Sequence, residues 1–168
     1  MIPKRRIPTI HRKLSVVWDN YLGAPYKLGG WFREDGYDCI SLVISILWEM
    51  GYDVPCFFSL CKGNIYWRGE RARRVGDIDI ANYVKDGKYD LELIPEWFST
   101  LGEFIDNGIK YRTAGDLLLC KLRNGQWMVS IYLGNEICTI VNGETMKVGT
   151  CPFKQLSPFV VEIRRCLL

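Results

Sequence analysis

The segment from Ile40 to Met50 constrains the fold of this 168-residue chain more than any other part of the sequence. It is apolar on nearly every side, includes the longest predominantly apolar stretch, Ile40 to Trp48, and is followed by Gly51. A helix with this pattern is buried on all faces, and a glycine after the last turn is a common C-cap. The stretch has nine residues, whereas crossing a bilayer needs about 20. The sequence therefore predicts a central buried helix and no membrane span.

The composition is typical of one soluble globular domain. Apolar residues make up 48% of the chain, and 22 Lys and Arg against 19 Asp and Glu give a net charge of +3. These values exclude a disordered tail, a collagen-like fibre and a strongly basic nucleic-acid binder. A basic cluster from Arg68 to Arg74 lies beside Tyr66 and Trp67, which could stack on bases. At this net charge we interpret the cluster as a solvated or protein-docking surface and expect no nucleic-acid partner.

The cysteines predict free thiols. Their number is odd and no Cys-x-x-Cys pair occurs, so we expect mostly buried thiols instead of a disulfide framework. They are Cys39, Cys56, Cys61, Cys120, Cys138, Cys151 and Cys166. The single histidine of the sequence, His11, is far from any cysteine pair. A zinc site needs clustered Cys and His ligands, so we expect no metal and no other cofactor.

The two ends of the sequence are basic. Residues 1–13 contain Pro3 and Pro8, and we interpret them equally as an arm that orders only against a partner or as a solvated leader. No apolar h-region or small-residue cleavage site follows the first charges, so we expect no secretory signal and synthesis in a cytoplasm. The apolar and basic segment from Phe159 to Leu168 is interpreted equally as a docking segment or as an ordinary last strand.

Helix signals dominate the first half of the remaining chain. From Leu14 to Leu22 apolar residues recur every three or four positions, as one face of a helix requires, and Gly23 ends the pattern. Residues 52–113 are less regular, and we interpret them as an elaborated insertion within a single domain of residues 14–168. The segment from Leu91 to Ile105 is expected to form a short helix around Trp97, Phe98 and Leu101.

The second half of the chain predicts an antiparallel sheet. Apolar segments there are separated by Asn-Gly or Gly-Asn pairs, and Asn-Gly supplies the two positive-φ positions of a type I′ hairpin turn. The expected strands are Leu117 to Leu122, Gln126 to Leu133, Glu136 to Val141 and Thr145 to Val148. Helices followed by a continuous meander give an α+β architecture in which the buried helix packs on the sheet.

Cys39 is a candidate nucleophile because it follows Asp38 at the start of the buried helix. Unpaired backbone N–H groups and the helix dipole favour a thiolate at that position. A thiol at a helix N-terminus facing a sheet is the geometry of a papain-like nucleophile.

Four ordered blocks around this residue resemble the NlpC-type cell-wall cysteine peptidases. The blocks are Tyr21-Leu22-Gly23-Ala24-Pro25-Tyr26-Lys27-Leu28-Gly29-Gly30, Tyr37-Asp38-Cys39-Ile40-Ser41-Leu42-Val43, Ala114-Gly115-Asp116-Leu117-Leu118 and Ser130-Ile131-Tyr132-Leu133-Gly134-Asn135. The family's usual patterns are Tyr-Leu-Gly-x-Pro-Tyr-x-x-Gly-Gly, Asp-Cys-Ser-Gly-Leu-Val, Pro-Gly-Asp-Leu and His-Val-Gly-Ile-Tyr-Leu-Gly. The resemblance covers about residues 14–51 and 113–141. It implies a papain-like fold with Cys39 at the nucleophile position and Tyr26 beside it.

The sequence departs from the family at the catalytic base. Aligning the block that begins at Ser130 puts Met128 where the family has its catalytic histidine, and a thioether has no proton to transfer. The polar residue that orients the histidine would lie near Cys138, Thr139 or Ile140, and none of these is His, Asn or Gln. General acid–base catalysis contributes roughly 10²–10⁴-fold. We therefore expect an inactive domain unless the leader brings His11 back over the cleft.

The resemblance leaves two functions open. The first is a catalytically degenerate NlpC-type domain that serves as a structural or docking component of a bacteriophage tail tip. It would be located in the virion, with other tail-tip or hub proteins as partners and peptidoglycan as a further candidate partner. The second is an active peptidoglycan endopeptidase that uses Cys39 with an unconventional base. Retention of Asp38-Cys39 favours the second function, although a small thiol at a packed helix start needs no function. A third and weaker alternative is a thiol-dependent acyltransferase on this fold, which would also need a base.

Overall fold

The computed structural model describes residues 7–52, 54–61, 63, 82–106, 112–142 and 145–166. Its helices are α1 (Ile7–Asp19), α2 (Cys39–Glu49), α3 (Phe57–Cys61), α4 (Ile94–Phe98) and α5 (Phe153–Leu156), with 3-10 turns at Leu91–Leu93 and Ser157–Phe159 and a helical turn at 82–85. Its strands are β1 (Trp31–Phe32), β2 (Gly36–Tyr37), β3 (Glu103–Asp106), β4 (Leu117–Lys121), β5 (Trp127–Gly134), β6 (Ile137–Asn142), β7 (Lys147–Pro152) and β8 (Val160–Arg165). The α+β prediction is confirmed.

The main sheet has six antiparallel strands in the order β3-β8-β4-β5-β6-β7. The predicted meander corresponds to β4 through β7, each paired with the next in sequence. Strand β8 lies inside the sheet between β3 and β4. Of the two interpretations of the Phe159 segment, the structure therefore supports the ordinary strand.

Helix α2 is the central buried helix that the apolar run predicts. Eight of its residues, from Ile40 through Leu47, are buried. Met50 caps its C-terminus, and Gly51 follows with φ +91°, the left-handed conformation that glycine adopts without a steric penalty.

Helix α1 begins at Ile7 and ends at Asp19, so the prediction of a helix from Leu14 to Leu22 was wrong at both ends. Residues 7–13, interpreted above as an arm or leader, belong to this helix. Pro8 does not prevent this, because the first-turn N–H groups have no partner within the helix. Lys13 Nζ donates to the carbonyl oxygen of Met50 at 2.6 Å, which fixes this part of α1 at the C-terminal end of α2.

The sheet separates two apolar clusters. In β4, Leu117 and Leu119 belong to the first cluster, which includes α1, α2 and α4, whereas Leu118 and Cys120 belong to the second. This alternation follows from the pleat of a strand that is buried on both faces. The second cluster consists of Leu118, Cys120, Met128, Tyr132, Cys138, Cys151, Phe153, Leu156 and Ile163. All seven cysteines are free thiols, and five of them are buried.

Two further expectations need correction. The segment from Leu91 to Ile105 is not one helix, because α4 ends at Phe98 and the chain enters β3 after Gly102. Gly102 has φ +48°, and a Cβ there would lie 2.1 Å from the Arg165 carbonyl oxygen, so the helix cannot continue through it. The cluster from Arg68 to Arg74 lies outside the described residues.

The Asn124-Gly125 turn is not type I′, since only the glycine has positive φ, at +83°. Gly125 N–H donates to Leu122 O, and Leu122 N–H donates to Gln126 O, which makes a longer loop with a left-handed glycine. Consecutive positive φ values occur instead at Asn135 and Glu136. The Asn142-Gly143 pair lies partly outside the described residues.

Candidate functional site

Cys39 is the first residue of α2 because Asp38 caps that helix. The Oδ1 atom of Asp38 accepts from the backbone N–H groups of Ile40 at 2.9 Å and Ser41 at 2.7 Å. Ser41 Oγ in turn accepts from the Asp38 N–H at 3.1 Å, which completes a capping box. Reciprocal capping of this kind satisfies donors that the first helical turn leaves free. It fixes the backbone from which the Cys39 thiol projects.

The second carboxylate oxygen of Asp38 connects α2 to two other parts of the chain. Oδ2 accepts from the Gly29 N–H at 2.7 Å and from the Tyr89 hydroxyl at 3.1 Å. Asp38 is only 3% exposed, and burial raises its pKa while these hydrogen bonds act in the opposite direction. Asp38 is therefore a scaffold residue that joins the start of α2 to Gly29 and to Tyr89.

Sequence reasoning missed Tyr89. This residue lies in the least regular part of the sequence, where no periodicity singles it out. Its ring is buried and makes an edge contact with Phe57, with centroids 5.3 Å apart. A tyrosine paired with a carboxylate 51 residues away has no local signature, so only the three-dimensional structure could reveal it.

The thiol of Cys39 lies against strand β5. It accepts a hydrogen bond from the backbone N–H of Val129, and the N–H groups of Cys39 and Ile40 also favour its ionised form. Burial is nevertheless the largest effect and, together with the Asp38 carboxylate, raises the pKa of the Cys39 thiol to about 12. The N–H groups of the first helical turn thus favour the thiolate, as the sequence predicts, but they do not bring the pKa of this thiol below its ordinary value. Loss of hydration outweighs the nearby N–H donors.

Met128 immediately precedes the residue that contacts the thiol. It is 8% exposed and belongs to the second cluster, against which Cys39 and Ile140 also pack. Met128 is also the direct cross-strand partner of Cys120, whose pKa is influenced by Cys39. Met128 is thus a buried thioether in an apolar environment.

The three residues considered for the orienting role have other functions in the fold. Thr139 is buried and links β5 to β6, because its Oγ1 accepts from Ile131 N–H at 2.9 Å and its carbonyl oxygen accepts from Ser130 Oγ at 2.7 Å. Cys138 is part of the second cluster, and Ile140 packs against it. The hydrogen bonds of Thr139 are made within the sheet, and Cys138 and Ile140 pack in the second cluster, so none of the three side chains is placed to orient an imidazole.

Tyr26 interacts electrostatically with Asp38 and Cys39. Burial first, and then the charges of Asp38 and Cys39, raise its pKa. Its backbone N–H donates to Met146 O at 2.7 Å, which holds the residue next to β7. The structure thus brings together Tyr26, Asp38 and Cys39, with Met128 adjacent through Val129.

His11 is not brought to this site. It lies in α1 two residues before Lys13, whose ammonium group is bound at the C-terminal end of α2. Cys39 is at the opposite end of α2, and eleven helical residues span about 16 Å. The backbone of His11 is therefore placed at the far end of the helix from the thiol.

The described residues contain no group of three or more His, Cys, Asp or Glu side chains that could hold a metal ion. Within the same part of the chain, no helix has the length and apolarity needed to span a membrane.

A thiol at the first turn of a buried helix, packed on an antiparallel sheet, defines the papain-like class of folds. No protein-family model and no curated protein matches the chain. Solved structures do match. The P60 domain of the M. avium subspecies paratuberculosis antigen MAP1204 is 17% identical, with a TM-score of 0.59 over 96% of this chain and 97% of that domain.

Two peptidoglycan hydrolases have the same fold. RipB from Mycobacterium tuberculosis is 18% identical, with a TM-score of 0.59 over 99% of this chain and 69% of the other. The NlpC/p60 domain of SagA is 15% identical, with a TM-score of 0.53 over 92% and 97%. The chain spans 44% of the length of NlpC1 from Trichomonas vaginalis, at a TM-score of 0.55 and 19% identity. The protein therefore has the NlpC/p60 papain-like fold.

Proposed function

We propose that this chain is a catalytically degenerate NlpC/p60-fold domain that acts as a structural or docking component. The observation that carries the proposal is the apolar surroundings of Cys39, which packs against the cluster that contains Met128, the residue that the sequence alignment sets at the position of the base. A cysteine peptidase needs one group to take the thiol proton and return it to the leaving amine. A thioether can do neither.

The electrostatics of the site support the same proposal. A pKa of about 12 keeps the Cys39 thiol protonated at neutral pH. Asp38, Tyr26 and Cys120 interact with this thiol. Asp38 accepts four hydrogen bonds as a scaffold residue, and the pKa values of Tyr26 and Cys120 are both raised. These groups do not replace an imidazole as the acceptor and donor of the thiol proton.

The setting that we propose is a bacteriophage tail tip. The domain would be assembled in the host cytoplasm, held in the virion by other tail-tip or hub proteins, and presented towards peptidoglycan. Sequence blocks similar to those of cell-wall peptidases, and a fold shared with RipB and SagA, both named as peptidoglycan hydrolases, support peptidoglycan as the surface that the domain meets. A domain that has the fold but lacks the base fits a recognition or assembly role better than a hydrolytic one.

Two experiments test these statements separately. Purified chain incubated with isolated peptidoglycan is expected to release no more soluble fragments than its Cys39→Ser variant, with RipB as the positive control. Mass spectrometry of purified phage particles is expected to detect the chain together with tail proteins. Particles that lack the chain would exclude the virion role without affecting the first result.

A second candidate function is an active endopeptidase that uses Cys39 with an unconventional base. The specific observation in its favour is the set of backbone N–H groups, from Val129, Cys39 and Ile40, that favour the ionised thiol. In the peptidoglycan assay this function predicts fragment release by the wild-type chain that disappears in Cys39→Ser. That result would overturn the degenerate-domain proposal.

A further inference from the structure

Cys138 and Cys151 form a pair of thiols that the candidate site does not use. They are direct partners in the antiparallel register of β6 and β7, so their side chains project from the same face of the sheet. Both are free and belong to the second cluster, with exposures of 0% for Cys138 and 7% for Cys151. Two opposed thiols on neighbouring strands can form a disulfide with each other, which a single buried cysteine cannot do.

The backbone geometry of this pair suits a disulfide. The Phe153 N–H donates to Glu136 O, and Val148 bonds to Gly23 and Ala24 instead of β6, so Cys138 and Cys151 are a hydrogen-bonded pair with Cα atoms about 5.5 Å apart. The Cα atoms of a disulfide are usually about 4.4–6.8 Å apart. The two thiols already interact, because Cys151 contributes, after burial, to the raised pKa of Cys138.

A third thiol of the second cluster is less well placed. Cys120 interacts electrostatically with both Cys138 and Cys151. However, it lies on β4, which is separated from β6 by β5. Two strand spacings amount to about 9.5 Å, and Cα atoms more than about 7 Å apart cannot be bridged without movement of the backbone. The register therefore selects Cys138 and Cys151 over either pairing with Cys120.

We propose that Cys138 and Cys151 are a redox pair that closes to a cross-strand disulfide when the chain meets a small-molecule disulfide such as oxidised glutathione. One protein thiolate attacks the oxidant, forms a mixed disulfide and releases one glutathione. The second protein thiolate attacks the protein sulfur of the mixed disulfide and releases the other glutathione. The protein loses two hydrogens, and oxidised glutathione is reduced to two glutathione molecules.

Cys151 is the residue expected to react first. It is the more exposed of the two, and β7 is the last strand in the order of the sheet, so opening of one strand exposes it. Burial raises the pKa of both thiols. Because the thiolate is the attacking species, the reaction is expected to be slow near neutral pH and to accelerate as pH rises.

Closing the bond would convert β6 and β7 into a covalently linked hairpin. The chain would be a dithiol in a reducing compartment and a cross-linked form in an oxidising one. A cross-link between residues 138 and 151 also restricts the unfolded chain, which stabilises the folded state. The inference does not depend on the proposed function.

Peptide mapping tests the proposal. The folded full-length chain is incubated with oxidised glutathione, free thiols are blocked with N-ethylmaleimide, and the protein is digested with trypsin without reduction. Cleavage after Lys147 separates the two cysteines, so the expected product is a linked pair of peptides, residues 124–147 and 148–154, that dithiothreitol separates. Oxidation is expected to raise the unfolding midpoint by on the order of 5–10 °C.

Variants provide the matched comparison. Cys151→Ser is expected to lose both the linked peptide and the rise in midpoint, whereas Cys166→Ser, which removes a buried thiol of the first cluster, keeps both. Two results on the wild-type chain, neither of which requires a variant to fold, would overturn the proposal. One is complete glutathionylation of the half-buried Cys61 while Cys138 and Cys151 remain alkylatable after unfolding. The other is a principal disulfide that contains Cys120.

Discussion

The hydroxyl of Tyr89 donates to Oδ2 of Asp38 at 3.1 Å, so Tyr89 supports the residue that caps the helix of Cys39. Both side chains are buried, and the bond joins positions 51 residues apart in sequence. The candidate site is therefore held by a contact between α2 and the less regular segment of residues 52–113.

Replacing Tyr89 with phenylalanine removes this donor and leaves the ring in place. The Asp38 carboxylate keeps its three backbone donors. We expect the free energy of unfolding to fall by about 1–3 kcal/mol, since a buried charged acceptor loses one partner. Urea denaturation measures the change, with Tyr52→Phe, another buried tyrosine, as the control. Equal small effects in the two variants would show that the bond contributes little.

Asp38 is expected to give stability a specific pH dependence. Burial raises its pKa in the folded state above the ordinary value of 3.8. Between that value and the raised one, the folded state binds the proton and the unfolded state does not, so the contribution of Asp38 to stability decreases as pH rises. Above the raised pKa its contribution no longer changes.

Comparison with Asp38→Asn isolates this effect. Asparagine remains a good helix N-cap and does not titrate. We expect the free energy of unfolding of the wild type, minus that of the variant, to decrease as pH rises above about 3.8. Urea titrations from pH 3 upwards measure the difference. An increase with pH would mean that the hydrogen bonds to the carboxylate outweigh its burial.

Cys39 is expected to react slowly with iodoacetamide. With a pKa of about 12, its thiolate fraction rises about tenfold per pH unit throughout pH 5 to 9 without reaching a plateau. The rate is measured by mass spectrometry of the Cys39 peptide, and Cys39→Ser identifies its signal among the seven cysteines. Fast labelling with a plateau below pH 8 would contradict the buried-thiol interpretation and favour the endopeptidase.

Restoring histidine at the aligned position is not expected to restore catalysis. Met128→His places an imidazole in the second cluster, where Ile140 offers no hydrogen bond to orient it. We expect the variant to be destabilised by about 2–3 kcal/mol, and by more at acidic pH, because burial disfavours the imidazolium.

The matched control is Met128→Leu, which keeps the volume and is expected to cost less than about 1.5 kcal/mol. Peptidoglycan fragment release and urea denaturation measure the two effects. Appreciable cleavage by Met128→His would show that the site is one substitution from activity.

The parts of the fold that sequence predicts are those with local patterns. Helix α2 has an apolar run closed by Gly51, and the meander from Leu117 onwards has alternating or continuous apolar segments with turn residues between them. These signals arise from neighbouring residues, so they can be read without knowledge of the tertiary structure. The position of Cys39 at the start of α2 follows from the same pattern.

The parts that escape prediction depend on distant residues. Strand β3 is formed by pairing with β8, about 60 residues later, and the sequence of neither segment indicates which strand it pairs with. The acidity of the Cys39 thiol likewise depends on its burial in the folded chain and on the Val129 N–H, 90 residues later in the sequence. The helix N-terminus, which favours the thiolate, can be recognised from the sequence. The loss of hydration on burial, which disfavours the thiolate, cannot.

The position of β8 between β3 and β4 has a consequence for synthesis of the chain. Residues 103–121 emerge from the ribosome well before Val160–Arg165, the segment that must fill the space between them. Until then β4 has an unpaired edge beside the apolar side chains of Leu118 and its neighbours. Such an edge is a template for pairing with another chain. A nascent chain stalled before residue 160 is therefore expected to need a chaperone more than the completed protein does.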